Sequence, residues 1–240
     1  VSKVIEVSGR FYRDPVLIEL NNLLSNLGGN EVEIDCSQNV FGDWSAHPEW
    51  WDRWKERSPV ISKIYSEQIY PSIIRTLAEY DIEIGPGFVA VDLFGGDGEL
   101  AESLSIYSNN QGEIHVIDQN TLALEKAKDR DGRVIVHAPV DLIEARDILD
   151  GVEKPDLVTA VGGLCVQVLK REESLNVARK VFEGLKEGGH FIVTGFSYVL
   201  LNAQDFRSLG FEVLQMSIPA NTYENAYPKQ LYVLRKPVSE

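Results

Sequence analysis

The chain has 240 residues, 37 acidic against 23 basic side chains for a net charge of −14, and two cysteines, Cys36 and Cys165. That length suits one large α/β domain, or a domain with a small cap, and two cysteines exclude a disulfide framework or a Cys-rich zinc site and fit a reducing cytoplasm. An evenly acidic surface repels phosphate backbones, which argues against nucleic acid as a partner.

No apolar run approaches the ~20 residues of a membrane span, and Val1-Ser2-Lys3-Val4 lacks the basic-then-apolar layout of a secretory signal. The expectation is therefore a cytoplasmic protein, monomer or homodimer, with no membrane partner and no metal.

Residues 1–84 read as an N-terminal helical cap. Asp14–Leu27 has an acid as N-cap, Pro15 at the first helical position and Gly28-Gly29 past its end. A loop over Asp35–His47 follows, then helical stretches at Pro48–Lys55 and Val60–Tyr80, the second passing through Pro71, which should break or kink it. All four tryptophans, Trp44, Trp50, Trp51 and Trp54, fall within eleven positions. Gly85-Pro86-Gly87 is the natural joint to residues 85–240.

Beyond that joint, strand and helix patterns alternate. Val89–Leu93, Ile114–Ile117, Arg133–His137, Asp156–Val161 and His190–Gly195 read as strands. Between them lie helical stretches from Glu99, from Thr121 and over Glu172–Leu185. Leu175, Ala178, Val181, Phe182 and Leu185 give the last of these one apolar face. Short, nearly continuous apolar strands separated by helices predict a parallel sheet covered on both faces. Phe211–Met216 and Gln230–Leu234 also read as strands, but the link between them carries Pro219 and Pro228 and is too short for a crossover helix. They should form an antiparallel pair at the sheet edge.

The most informative stretch is Asp92-Leu93-Phe94-Gly95-Gly96-Asp97-Gly98-Glu99. An apolar strand runs into a glycine turn and directly into a helix start, so backbone N–H groups are offered to a ligand that can approach closely. The next strand ends in Asp118, 26 residues beyond Asp92. That is near the roughly twenty-residue offset at which an acid meets a ribose in nucleotide-binding βαβ units.

These residues resemble the class I S-adenosylmethionine-dependent methyltransferases of the small-molecule type. Asp92 to Gly98 is similar to that family's first motif, Asp118 to its ribose-binding acid, Leu185–Val193 to its turn into the fifth strand, and the terminal hairpin to its last two strands. The resemblance implies a Rossmann-like, mostly parallel seven-stranded sheet, S-adenosylmethionine as cofactor, and methyl transfer to O or N, with C less favoured, of a small organic molecule. It implies a cofactor site of Asp92, Phe94, Gly95, Gly96, Gly98, Asp118, Gln119, Asp141, Val161, Gly162 and Gly163, with Asp141 near the adenine. Phe94 departs from the pattern, standing where the family most often has its first glycine. Because Phe adopts positive φ only at a cost, the loop should turn at Gly95 and Gly96 instead, with the ring beside the ligand or under the loop.

For the acceptor, Trp44, Trp50, Trp51, Tyr223 and Tyr227 are the candidate pocket walls, in a site closed by Phe41–Trp54. Aromatics on a short helix also serve simply to pin a cap to a core. His47 is the candidate general base, with the right unperturbed pKa and an ordinary surface residue as its alternative. His115 and His190, within strands, read as structural, and His137 ends a strand on the adenine side. Asp141 is equally placed to cap a turn. Two other readings share the glycine loop and the acid: an NAD(P)-binding oxidoreductase, whose six-stranded sheet is all parallel, and a non-catalytic nucleoside-binding module.

Overall fold

A computed structural model of the chain describes residues 3–6, 32–35, 63–130, 133–165, 168–195, 199–217 and 230–239. Two short strands precede the main body, β1 (Lys3–Glu6) and β2 (Val32–Asp35), paired in parallel with Lys3 opposite Val32. Neither was expected from the helical texture of that region. Four-residue strands show little periodicity, and helix-like sequence fills the stretch between them. The helical stretches read over Asp14–Leu27 and Pro48–Lys55 lie outside the described residues.

The helix around Pro71 shows how the chain handles a proline inside an apolar helical pattern. A π-helical turn spans Tyr65–Ile69, and the Tyr70 N–H donates to the Tyr65 carbonyl five residues back. Pro71 has no N–H to give, so the irregularity falls just before it. Helix α1 (Tyr70–Glu79) then continues with Ile73 and Leu77 fully buried.

The main sheet is built from β3 (Val89–Leu93), β4 (Glu113–Ile117), β5 (Val134–Val136), β6 (Leu157–Val161), β7 (His190–Thr194), β8 (Glu212–Ser217) and β9 (Leu231–Arg235). Its order is β5-β4-β3-β6-β7-β9-β8. The first five strands pair in parallel, and β9 runs antiparallel to both β7 and β8. The expected antiparallel hairpin is present, with the last strand inserted inside β8 rather than beyond it. This arrangement is not the all-parallel sheet of a dinucleotide-binding domain.

Alternating side chains bury two layers. On one face Val91, Leu93, Val158, Ala160, Phe191 and Val193 meet Val177, Ala178 and Val181 of α4 (Arg171–Gly184) and Phe206 of α5 (Ala203–Ser208). On the other, Ala90, Ile114, Val116, Leu157 and Ile192 meet Ile73 and Leu77 of α1, Leu100 and Leu104 of α2 (Glu99–Tyr107), and Leu124 of α3 (Thr121–Ala127). Helices on both faces follow from strands apolar on both sides. Helix α5 was not foreseen. It is only six residues long and is held at its N-terminus, where Asn202 Oδ1 accepts from Gln204 and Asp205 N–H while Asp205 Oδ2 accepts from Asn202 N–H.

Candidate functional site

Strand β3 lies between β4, which leads toward one sheet edge, and β6, which leads toward the other. The carboxyl ends of β3 and β6 therefore flank the point where the strand order reverses, the crevice in which open α/β sheets bind ligands. The glycine loop leaves β3 there. Gly95 approaches the sheet so closely that a Cβ would lie 2.9 Å from the Asp92 carbonyl, the Asp92 Oδ2 and Val116 Cγ1. No other residue fits at that position without movement of the strand.

Phe94 corrects the expectation for the loop. It adopts φ +57 itself, with Gly96 and Gly98 also positive, so the left-handed turn begins at the aromatic residue and not at Gly95. Its ring lies where a Cβ on Gly163 would be, and only a glycine at 163 leaves room for it. Packing against that backbone is what holds the costly conformation in place.

Asp118 follows β4 directly and is buried. Its Oδ2 accepts from Gly96 N–H at 3.0 Å and its Oδ1 from Asn120 N–H at 2.7 Å. Burial raises its pKa, and the backbone donors Asn120, Gly96 and Gln119 oppose the rise. A carboxylate carries about four acceptor sites, so capacity remains for a ribose hydroxyl. The loop after β5 is tied to the same place by Val140 N–H donating to the Asp118 carbonyl at 2.9 Å. That loop carries Asp141, whose Oδ1 accepts from Ile143 and Glu144 N–H, so one of its oxygens caps the following turn.

Asp92 sits at the end of β3, 2 % exposed, and accepts from the Thr159 hydroxyl at 2.8 Å. Burial pushes its pKa up to about 7 against the Thr159 bond, with smaller upward contributions from Asp118 and Asp97. Thr159 is a partner the sequence reading passed over. A hydroxyl inside the apolar run Leu157–Val161 was the available signal.

Tyr65 and Tyr70 were also missed. Their rings are 5.7 Å apart, and Tyr65 Oη is 2.8 Å from where a Cβ on Gly162 would stand. Burial first, then the negative charges of Glu99, Tyr65, Asp92 and Asp97, hold the Tyr70 phenol well above its ordinary pKa, so it stays a protonated donor.

Arg130 fastens the start of α2. Its Nε donates to the Asp97 carbonyl at 2.6 Å, and its guanidinium faces Glu102 at 2.5 Å and Asp97 and Glu99 at 3.5 Å. At 23 % side-chain exposure the group is partly screened. Arg130→Met should therefore lower stability by about 1 kcal/mol in low salt and by less in high salt, measured as a denaturation midpoint at both ionic strengths. A loss that ignores salt would mean packing, not charge, is what Arg130 supplies.

Gln119 follows Asp118 half-buried, and Val161 ends β6 with Gly162 N–H bonded to the Thr194 carbonyl at 2.8 Å. His115 Nδ1 and His137 Nε2 lie 2.8 Å apart, and burial first, with mutual charge at His115, lowers both pKa values. They form a neutral pair across β4 and the end of β5. His47, Trp44, Trp50, Trp51, Tyr223 and Tyr227 lie outside the described residues. Among the described residues no group of three or more His, Cys, Asp or Glu is arranged to hold a metal, and no helix is long and apolar enough to cross a membrane.

No family model matches the sequence. The chain is 31% identical over 140 residues to a ubiquinone/menaquinone biosynthesis C-methyltransferase UbiE of Cupriavidus metallidurans, covering 58% of this chain and 55% of that one. It is 28% identical over 144 residues to a carboxy-S-adenosyl-L-methionine synthase of Shewanella loihica, covering 56% and 58% respectively. The chain thus spans little more than half the length of the curated relatives it matches. Magnesium protoporphyrin IX methyltransferase of Synechocystis PCC 6803, solved with bound S-adenosylmethionine, superposes with a TM-score of 0.59 at 13% identity over 95% of this chain and 100% of that one. At that identity the likeness speaks to the fold, and the fold is that of the class I methyltransferases. The resemblance read from the motif is borne out in both sequence and architecture.

Proposed function

We propose that this chain, sharing fold and sequence with the class I S-adenosylmethionine-dependent methyltransferases, is an enzyme that binds S-adenosylmethionine at the β3/β6 crevice. It transfers the methyl group to an oxygen or nitrogen, with carbon a third choice, of a small organic molecule. The observation that carries this reading is the Asp118 carboxylate bonded to Gly96 N–H. It joins the acid suited to a ribose diol to the glycine loop suited to the amino-acid end, so both ends of a nucleoside ligand meet one rigid unit. The half-buried Gln119 and the loop bearing Asp141 flank the adenine side, and Val161, Gly162 and Gly163 flank the methyl-donating side. Of the acids around the crevice, Asp97 and Glu99 are paired with Arg130, and buried Asp92 is the one a cation would draw toward its ionised form.

S-Adenosylmethionine supplies an electrophilic methyl carbon on a positively charged sulfur, which leaves as the neutral thioether when the acceptor's lone pair displaces it. The displacement is in-line, so holding acceptor, carbon and sulfur in one direction supplies much of the acceleration. The cap proposed for the N-terminal region is its part before α1, since Ile73 and Leu77 belong to the core, and Phe41–Trp54 is the segment proposed to close the acceptor side. A lid of that kind excludes water and also excludes a polymer. The curated relative named as a C-methyltransferase supports keeping carbon among the acceptors. A hydroxyl acceptor would need a base, and His47 is the residue proposed for it. His47→Ala should then depress turnover most near neutral pH and above, where the wild-type imidazole is unprotonated and can accept the proton, and an unchanged pH profile would leave positioning alone as the mechanism.

Titration calorimetry of the whole chain with S-adenosylmethionine, S-adenosylhomocysteine and NAD tests the reading. Binding of the first two is expected. Binding of NAD alone would transfer the chain to the oxidoreductases, and tight nucleoside binding with no methyl transfer to any metabolite extract would make it a binding module.

A further inference from the structure

The two glycines that follow β6 are each met by an aromatic side chain from a different element. Tyr65 Oη stands 2.8 Å from where a Gly162 Cβ would be, and the Phe94 ring fills the place of a Gly163 Cβ. Phe94 and Gly163 thus meet across the crevice where the sheet order reverses. Phe94 reaches that place only by taking φ +57, a backbone region costly for an aromatic residue, and one it holds only because the packing around it fixes it there. One side of the ring rests on Gly163, yet the residue remains half-buried, packed at the margin of the core rather than within it. The buried acids Asp92, in β3, and Asp97, in the loop and paired with Arg130, stand on either side of Phe94 in the sequence.

A half-buried aromatic ring at the ligand crevice is a setting for a cation, because its face attracts positive charge. We infer that Phe94 reads the charge on the donor's sulfur: the free side of its ring lies against the sulfonium of S-adenosylmethionine and discriminates against the neutral thioether of S-adenosylhomocysteine. The inference rests on the cofactor reading proposed above. Adenine, ribose and the amino-acid end are common to the two ligands, so their contributions cancel in the ratio of affinities. What remains is the positive sulfur with its methyl group, which a ring face attracts and a thioether does not replace. A contact of this kind favours the loaded donor and hastens departure of the spent one, independently of which acceptor is used.

Calorimetry of wild type, Phe94→Leu and Asp118→Ala with both ligands tests this. Leucine keeps apolar bulk and removes the ring. The wild type should bind S-adenosylmethionine more tightly than S-adenosylhomocysteine, and Phe94→Leu should shrink that ratio by about two- to thirty-fold. Asp118→Ala should weaken both ligands alike and leave the ratio as it was. An unchanged ratio in Phe94→Leu, or an equal loss for the two ligands, would reduce Phe94 to a packing residue and overturn the inference. If thermal melting shows that Phe94→Leu does not fold, Phe94→Gly, which removes the strain of the left-handed turn, carries the same comparison. A wild type that binds neither ligand refutes the cofactor reading itself, a result distinct from a wild type that binds both with a ratio indifferent to Phe94.

Discussion

Asp118→Ala is expected to weaken the binding of S-adenosylmethionine about ten- to a hundred-fold, the value of charge-assisted hydrogen bonds worth about 1.5–3 kcal/mol. The carboxylate has two tasks in the structure. It offers its remaining acceptor capacity to a ribose hydroxyl, and it holds the Gly96 and Asn120 N–H groups in place. Alanine removes both, so a Gly96 N–H that the native loop satisfies is left to water or to nothing. The unliganded protein should nonetheless change little in stability. Burial already disfavours the ionised form of Asp118, as its raised pKa records, and removing that charge offsets part of the lost bonding. A large affinity loss with a small change in melting temperature is therefore the signature expected. Retention of full affinity would detach Asp118 from the ligand and leave it as a loop anchor.

Much of this architecture was legible in the residues because strand and helix patterns here are locally consistent. Val89–Leu93 was bounded correctly because a mostly apolar run leads straight into glycines, and α4 was found to within one residue at each end because its apolar positions repeat at helical spacing. What escaped was set by tertiary contact. Phe94 in a left-handed conformation contradicts local preference, and only the bare backbone of Gly163 across the crevice explains it. Tyr65 and Tyr70 looked like ordinary helix residues because a π-turn, invisible in a pattern of apolar spacing, decides what they reach. Asp141 shows the opposite case. The acid stands in the expected place, tied to Asp118 through Val140, yet one oxygen serves the turn that follows, so position in sequence named the neighbourhood and not the bonding.

The largest stability effect should come from Asp92→Asn. In the folded protein Asp92 titrates at about 7, whereas an unfolded aspartate titrates near ~3.9. Between those values the folded chain holds a proton that the unfolded chain has released. The unfolded state then binds fewer protons, so stability falls as pH rises, by about 1.4 kcal/mol per unit and by up to about 4 kcal/mol across the window. The contribution is fully present below about pH 4 and is lost once the pH has passed about 7. Asparagine carries no charge and keeps a carbonyl oxygen for the Thr159 hydroxyl. The variant should match the wild type near pH 4 and exceed it at pH 8.5 by as much as about 4 kcal/mol, a rise of up to roughly ten degrees in melting temperature for a chain of this size. Thermal melts of the two proteins across that range decide the matter, since parallel curves would show that Asp92 ionises in the folded state as it does in water. A buried acid that costs stability at neutral pH has reason to persist where a cationic ligand draws it toward the ionised form. Saturating S-adenosylmethionine should accordingly stabilise the wild type more at pH 8 than at pH 6, and the asparagine variant equally at both.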